Sequence, residues 1–295
     1  MAIIDVHTHT PRFEHAVPDT FGESAVNAKW SPKGARPVVY TWAEFEAAMA
    51  PVDRVILFNI AQAKTGNELV NEPYLVRTPE VNDETAAFVR SNPAKYIGFV
   101  TVHPDDPDAL DEIERGVTDL GLRGLKLGLN YQNVDPLGEN AFKIFREAER
   151  RKLPVLLHQG TSPVRFADID YSHPRHTDRI AIAFPNLTII MAHIGHPFCL
   201  DAIAVARKHP NVWLDISGAV LRRYGFYQAM VASQEWGVLD RLLFASDFPA
   251  STPEESMRLL REVNLGAPGP GALRISEKAI EDIIHRDSLG LLGLD

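Results

Sequence analysis

The chain has 295 residues, 45% of them hydrophobic and 23% charged, which is the composition of a globular protein that is large enough for one α/β barrel or two ordinary domains. The formal charge of -9 argues against a nucleic-acid partner, whose phosphates need a basic face. No apolar run approaches the roughly 20 residues of a membrane span, and a single cysteine, Cys199, excludes an internal disulfide.

A reducing cytoplasm suits that cysteine usage, and Asp5, His7 and His9 fall where the apolar core of a signal peptide would lie. Cytoplasmic localisation is therefore expected. Ala2 to Val6 is a short apolar, β-branched run that reads as a first strand. Its continuation, Asp5-Val6-His7-Thr8-His9, sets two imidazoles two residues apart. On a strand that spacing puts both on one face, half of a metal site; two surface histidines are the bland alternative.

Thr10 to Pro37 is polar and aperiodic but carries Phe13, Phe21 and Trp30, so residues 10–40 read as a flap over a pocket. Thr41 with Glu44 forms a capping box that opens a helix. Val52 to Ile60 is a second strand, followed by a long polar loop from Ala61 to Pro79. Glu80 to Ser91 is a helix, Tyr96 to Val102 a third strand, and Asp108 to Leu120 a helix stopped by Gly121.

The alternation then becomes regular. Strands are expected at Arg123 to Leu129, Pro154 to His158, Leu187 to His193, Val212 to Ser217 and Arg241 to Asp247. Helices are expected at Asn140 to Lys152, Thr177 to Phe184, Leu200 to Lys208 and Tyr224 to Trp236, with closing helices at Pro253 to Val263 and Glu277 to Arg286. Eight short apolar strands, each followed by a helix, imply parallel pairing with right-handed crossovers. The fold class is α/β, and the expectation over residues 1–295 is a single-domain (β/α)8 TIM barrel. An open doubly wound sheet is the runner-up, but it would usually carry a G-x-G-x-x-G turn after the first strand.

In a parallel barrel the carboxyl ends of all strands meet on one face. His7 and His9 end the first strand, Lys126 lies on the fourth, and His158, His193 and Asp247 end the fifth, sixth and eighth. Imidazoles and a carboxylate converging there are a donor set for zinc, manganese or iron. Each member also has a plain reading alone: His158 as a satisfied core histidine, Asp247 as a turn cap, Lys126 as half of a buried ion pair.

The motifs Asp5-Val6-His7-Thr8-His9, Arg123-Gly124-Leu125-Lys126-Leu127, Leu157-His158, Ala192-His193-Ile194-Gly195 and Ala245-Ser246-Asp247-Phe248-Pro249 together resemble the amidohydrolase superfamily. Within it they are similar to the amidohydrolase-2 branch that includes aminocarboxymuconate-semialdehyde decarboxylase, and the likeness runs to Ser288–Leu294. It implies that His7, His9, His158 and Asp247 bind a divalent metal, most simply Zn2+, with Mn2+ or Fe2+ as alternatives. It also implies that Asp247 and His193 are catalytic. Lys126 sits where binuclear members carry a carboxylated, metal-bridging lysine; many members of this branch are mononuclear, and one ion beside an unmodified lysine is the expectation.

A metal with an open position activates water, so the expected reaction is hydrolysis of an amide, cyclic amide or lactone in a small, carboxylate-bearing substrate. Decarboxylation of an aromatic or muconic acid is the alternative, and a metal-independent lactonase or an inactive barrel comes after it. His103, Tyr131, Gln159, Arg165, Arg175, Arg222 and Arg223 follow strand ends and are candidate substrate contacts, the arginines for a carboxylate. His196, after Gly195, is equally consistent with a place near the metal and with a loop role. The expected partner is a small molecule, with no nucleic acid and no membrane; a homo-oligomer is compatible with the sequence.

Overall fold

The computed structural model describes residues 2–15, 40–63, 75–162 and 167–295. Most of the expected flap and Arg165 lie outside them. The strands that build the barrel are β1 (Ile4–His9), β2 (Arg54–Phe58), β5 (Tyr96–Gly98) continuing into β6 (Val100–Thr101), β7 (Leu125–Leu127), β8 (Val155–Leu157), β9 (Ile189–Met191), β10 (Val212–Asp215) and β11 (Leu242–Leu243). All the pairings between them are parallel, in the orders β1-β2-β5 and β11-β10-β9-β8-β7-β6.

Single backbone hydrogen bonds complete the circle where the ladders stop. Phe99 donates to Leu57 at 3.0 Å while Val100 donates to Gly124 at 2.8 Å, so the third strand hands over from one neighbour to the other. Val6 donates to Phe244 at 3.1 Å, which joins the first strand to the last.

Around the strands lie α1 (Trp42–Ala48), α2 (Glu80–Ser91), α3 (Ala109–Thr118), α4 (Glu139–Arg151), α5 (Pro174–Ala183), α6 (Cys199–Lys208), α7 (Arg223–Glu235), α8 (Pro253–Arg261), α9 (Glu277–Ile284) and α10 (Ser288–Leu292). The Thr41–Glu44 capping box forms as expected. No helix among the described residues is long and apolar enough to cross a membrane.

Two-residue alternation sorts the strand residues into two cores. Val55, Leu57, Leu125, Leu127, Val155, Leu157, Ile189, Met191, Val212 and Leu214 face the helices. Ile4, Val6, Ile56, Phe58, Ile97, Phe99, Leu156, Ile190, Trp213 and Leu243 fill the barrel interior. Leu289, Leu292 and Leu294, on and just after α10, belong to that inner core and plug it beside Ile4. Nothing in the strand and helix pattern anticipates this plug, because five residues are too few to show a helical period.

Other boundaries differ for identifiable reasons. The ends of the Ala61–Pro79 loop pair as a small parallel sheet, β3 (Ile60–Gln62) with β4 (Leu75–Arg77); three-residue strands carry too little alternation to be read. Helix α5 begins at Pro174 rather than Thr177, because His173 caps it and proline occupies its first position. The sixth strand stops at Met191, and Ala192–Gly195 form a tight turn instead.

Where β2 leaves the sheet toward β3, the edge of β6 lacks a strand neighbour, and Asn82 of α2 takes its place. Asn82 Oδ1 accepts from the Thr101 N–H at 2.9 Å, and Nδ2 donates to the Thr101 carbonyl at 2.9 Å. Its burial is complete. Asn82→Ala would strand both backbone groups, at about 1–3 kcal/mol each; a loss of about 2–6 kcal/mol in a urea titration is expected, with the slope unchanged.

Candidate active site

The inward-facing register carries polar residues onto the carboxyl ends of the strands. Continuing each alternation past the apolar core gives Lys126 on β7, His158 after Leu156, Asp215 and Ser217 after Trp213, and Asp247 after Leu243 and Ala245. His7 does not follow from alternation, because Ile4 and Val6 already point inward. An irregularity supplies the change of phase: Asp5 pairs with Val55 but Thr8 with Leu57, one extra residue on β1. The Asp5 carboxyl caps this bulge, accepting the His7 N–H at 3.2 Å and the Ser246 N–H at 3.1 Å. Burial pushes that carboxyl up to about 7. Beyond the bulge His7 and His9 both pack on Phe58, at ring separations of 5.1 and 5.7 Å.

His193 needs a second irregularity. After Ala192 it would face outward, but His193 and Ile194 take left-handed backbone angles (φ 61° and 48°), followed by Gly195 at 64°. The turn swings the ring inward to 5.0 Å from both His7 and His158. Asp247 is also left-handed, with φ 59°. Such angles cost about 1–3 kcal/mol each in non-glycine residues and cluster at functional sites.

The polar atoms converge. Asp247 Oδ1 lies 3.3 Å from His7 Nε2 and 3.4 Å from His9 Nε2. His7, His193 and Asp247 each place a ligand atom within 4.8 Å of the others. His158 Nδ1 is 3.3 Å from His193 Nε2, and Lys126 Nζ is 3.5 Å from His7 Nε2. Residues of five strand ends thus surround one point.

A family model described as "Amidohydrolase" matches residues 4–285. The chain belongs to the amidohydrolase-2 family. Solved structures give the same fold over the whole length. A TIM-barrel protein of Bordetella bronchiseptica superposes with a TM-score of 0.71 at 20% identity, covering 100% of this chain and 99% of that one. A probable 2-pyrone-4,6-dicarboxylic acid hydrolase of Acinetobacter baumannii, solved with citric acid, gives 0.62 at 16% identity, covering 99% and 100%. A dihydroxybenzoic acid decarboxylase of Polaromonas sp. JS666, solved with manganese and 2-nitroresorcinol, gives 0.66 at 16%, covering 99% and 97%.

The residues of this amidohydrolase fit a divalent ion. The converging atoms are nitrogen and oxygen donors, the set that zinc, manganese and iron share. Burial, with the Lys126 charge, pushes His7 down to about 4. Burial, with His193 and Lys126 nearby, also holds His158 well below the usual range. Both are neutral, lone-pair imidazoles at pH 7, as a ligand must be. His158 Nε2 is buried with no hydrogen-bond partner, a polar atom that calls for an electrophile.

Lys126 is buried with its ammonium 4.6 Å above the Phe58 ring, and burial lowers it to about 8 against the pull of Asp215 and Asp247. An ion pair with a carboxylate neighbour, the plain reading of this lysine, does not form among the described residues.

The substrate candidates separate by position. Tyr131 packs edge-on against His158 at 4.7 Å, and Gln159 is buried with an unpartnered Oε1. Arg222 sits on the rim, donating to the Gly218 carbonyl at 2.8 Å. Arg175 is exposed and held by Asp170, and Arg223 is exposed at the start of α7. His103 spends both ring nitrogens on backbone: Nε2 on the Gln132 carbonyl at 2.9 Å and Nδ1 on the Asp105 N–H at 3.3 Å. These contacts tie His103 into the local turn and leave it no polar atom for a ligand.

Sequence reasoning missed Asp215 and Ser217, although Asp215-Ile216-Ser217 shows the same two-residue spacing at a strand end as His7-Thr8-His9. It also missed Asn130, buried with both side-chain polar atoms unpartnered. Elemental analysis of purified protein is expected to show about one divalent ion per chain. His7→Ala combined with His9→Ala should abolish it; full occupancy in that double variant would remove the metal site.

Proposed function

We propose that this amidohydrolase is a metal-dependent hydrolase that opens an amide, cyclic amide or lactone bond in a small, carboxylate-bearing substrate. His7, His9, His158 and Asp247 hold one ion, and Lys126 stays unmodified beside it. A bound divalent ion supplies Lewis-acid chemistry, polarising the scissile carbonyl and acidifying water next to it.

The observation that carries the reading is the place of Asp247, whose Oδ1 lies 3.3 Å from His7 Nε2 and 3.4 Å from His9 Nε2. Burial pushes its carboxyl up, but His7, His9 and His193 around it outweigh burial and hold it far below the usual range. An ionised carboxylate in this place is a proton acceptor, which is what hydrolysis asks of it first. It accepts a proton from the attacking water and returns it to the leaving nitrogen or oxygen. With its Nδ1–H held by the Ser217 carbonyl, His193 reaches the substrate oxygen through Nε2 once its ring is released from His158 and that nitrogen has gained a proton from solvent.

Gly218 stands beside these two groups. Gly218 has no side chain, and a Cβ there would come within 3.2 Å of His193 Nδ1 and 3.6 Å of Asp247 Oδ2. Gly218 has φ 61° as well, so both space and backbone favour glycine. Arg222, bonded to the Gly218 carbonyl, stands where a substrate carboxylate would meet a guanidinium. Tyr131, Gln159 and Asn130 offer an aromatic edge and unspent amide groups for the rest of the molecule.

Decarboxylation is the second reading, favoured by the shared fold of the dihydroxybenzoic acid decarboxylase. The same Asp247 would then deliver a proton to carbon. Products separate the two. With lactones, cyclic amides and aromatic acids assayed side by side, ring-opened product without carbon dioxide is expected. His193→Ala and Asp247→Asn should each lower kcat by about 100- to 10,000-fold with little change in KM. Carbon dioxide release that needs both residues would transfer the assignment to the decarboxylase.

A further inference from the structure

Asp215 is completely buried at the end of β10 and touches both imidazole systems. Its Oδ2 lies 2.9 Å from His7 Nδ1. Its Oδ1 accepts the His193 N–H at 3.0 Å, the Ser217 N–H at 3.0 Å and the Ser217 hydroxyl. Every group facing Oδ1 is a donor, so the two oxygens are not interchangeable.

We propose that Asp215 is a positioning residue that sets the tautomer of His7 and, through Ser217, of the other two imidazoles. His7 lies between two carboxylates, with Nδ1 2.9 Å from Asp215 Oδ2 and Nε2 3.3 Å from Asp247 Oδ1. The shorter contact, and the Lys126 ammonium 3.5 Å from Nε2, which can only donate, place the hydrogen on Nδ1 and the lone pair on Nε2. The Ser217 hydroxyl spends its hydrogen on Asp215, so its oxygen can only accept from His193 Nδ1, 2.9 Å away; the Ser217 carbonyl accepts from the same nitrogen at 3.0 Å. His193 Nε2 is then a lone pair that accepts from His158 Nδ1, which leaves His158 Nε2 bare. Asp215 and the Ser217 carbonyl thereby together aim three unprotonated Nε2 atoms. Asp215 also anchors the backbone of the left-handed turn that brings His193 inward.

This inference rests on the proposed site but not on the reaction performed there. Asp215→Asn tests it, because the three donors oblige the new carbonyl oxygen to take the Oδ1 place. The amide NH2 then faces His7 Nδ1, which must become the acceptor, so the hydrogen moves to Nε2. The readout is imidazole 15N NMR of the metal-free protein, with the His7 signals assigned by their loss in His7→Gln. The wild type is expected to be protonated at Nδ1 and the variant at Nε2.

Zn2+ or Mn2+ titration should show about 10- to 100-fold weaker binding in the variant. Ser217→Ala removes the 3.2 Å contact of Ser217 Oγ with His7 Nδ1 but keeps the shorter Asp215 contact to that nitrogen and the carbonyl contact to His193, so the His7 tautomer should not change. A wild-type His7 protonated at Nε2 would overturn the proposal even if Asp215→Asn failed to fold. So would a folded variant that kept the Nδ1–H form and full metal affinity. Failure of the hydrolase reading would appear in the product assay and leave these tautomers untouched.

Discussion

The hydrogen bond from the Asp247 N–H to the His7 carbonyl, 2.8 Å long, is where barrel closure and site assembly become the same event. His7 stands on the first strand and Asp247 just after the last, 240 positions on in a chain that must come full circle for them to meet. The seam continues with His9 donating to the Phe248 carbonyl at 3.0 Å. An open sheet would leave these two residues at opposite edges. Closure therefore creates the centre as well as sealing the edges that a parallel sheet would otherwise expose.

Two departures from regular strand geometry complete the site. The bulge in β1 lets an apolar interior, Ile4 and Val6, give way within one residue to His7 and His9. The left-handed turn after β9 redirects His193. Neither is free, and each is held by a buried carboxylate: Asp5 takes the N–H groups at the bulge, and Asp215 takes the N–H at the turn. Buried carboxylates are expensive unless their lone pairs are filled. Here one oxygen of each, Oδ1, takes the backbone N–H groups that irregular geometry sets loose.

Enclosure also fixes the chemistry on offer. His7 and His158 are kept from charging by burial and by the Lys126 ammonium beside them, while the imidazoles around Asp247 hold its carboxyl low. A site so poised presents lone pairs to an electrophile and a base to a proton. Hydrolases and decarboxylases on this fold can both use such parts, since fold alone does not choose a reaction. Under the proposed function the choice falls to Arg222, Tyr131, Gln159 and Asn130, the groups put forward as substrate contacts.

The alternation of apolar residues determined the order of strands and helices, because burial of one face writes its period directly into the chain. It also determined that Lys126, His158 and Asp247 would share a face with the interior, and the His7-Thr8-His9 spacing paired its two rings. Asp215-Ile216-Ser217 carried an equal signal, but a carboxylate and a hydroxyl are common enough at strand ends to pass as caps. What the tertiary structure alone decided was phase and partnership. The extra residue in β1, the turn at His193, the plug formed by Leu289, Leu292 and Leu294, and the Asn82 clasp on β6 all depend on atoms distant in sequence. A local period reports which face of a segment is buried. It holds no record of which donor, from a strand 200 residues away, will fill a given lone pair.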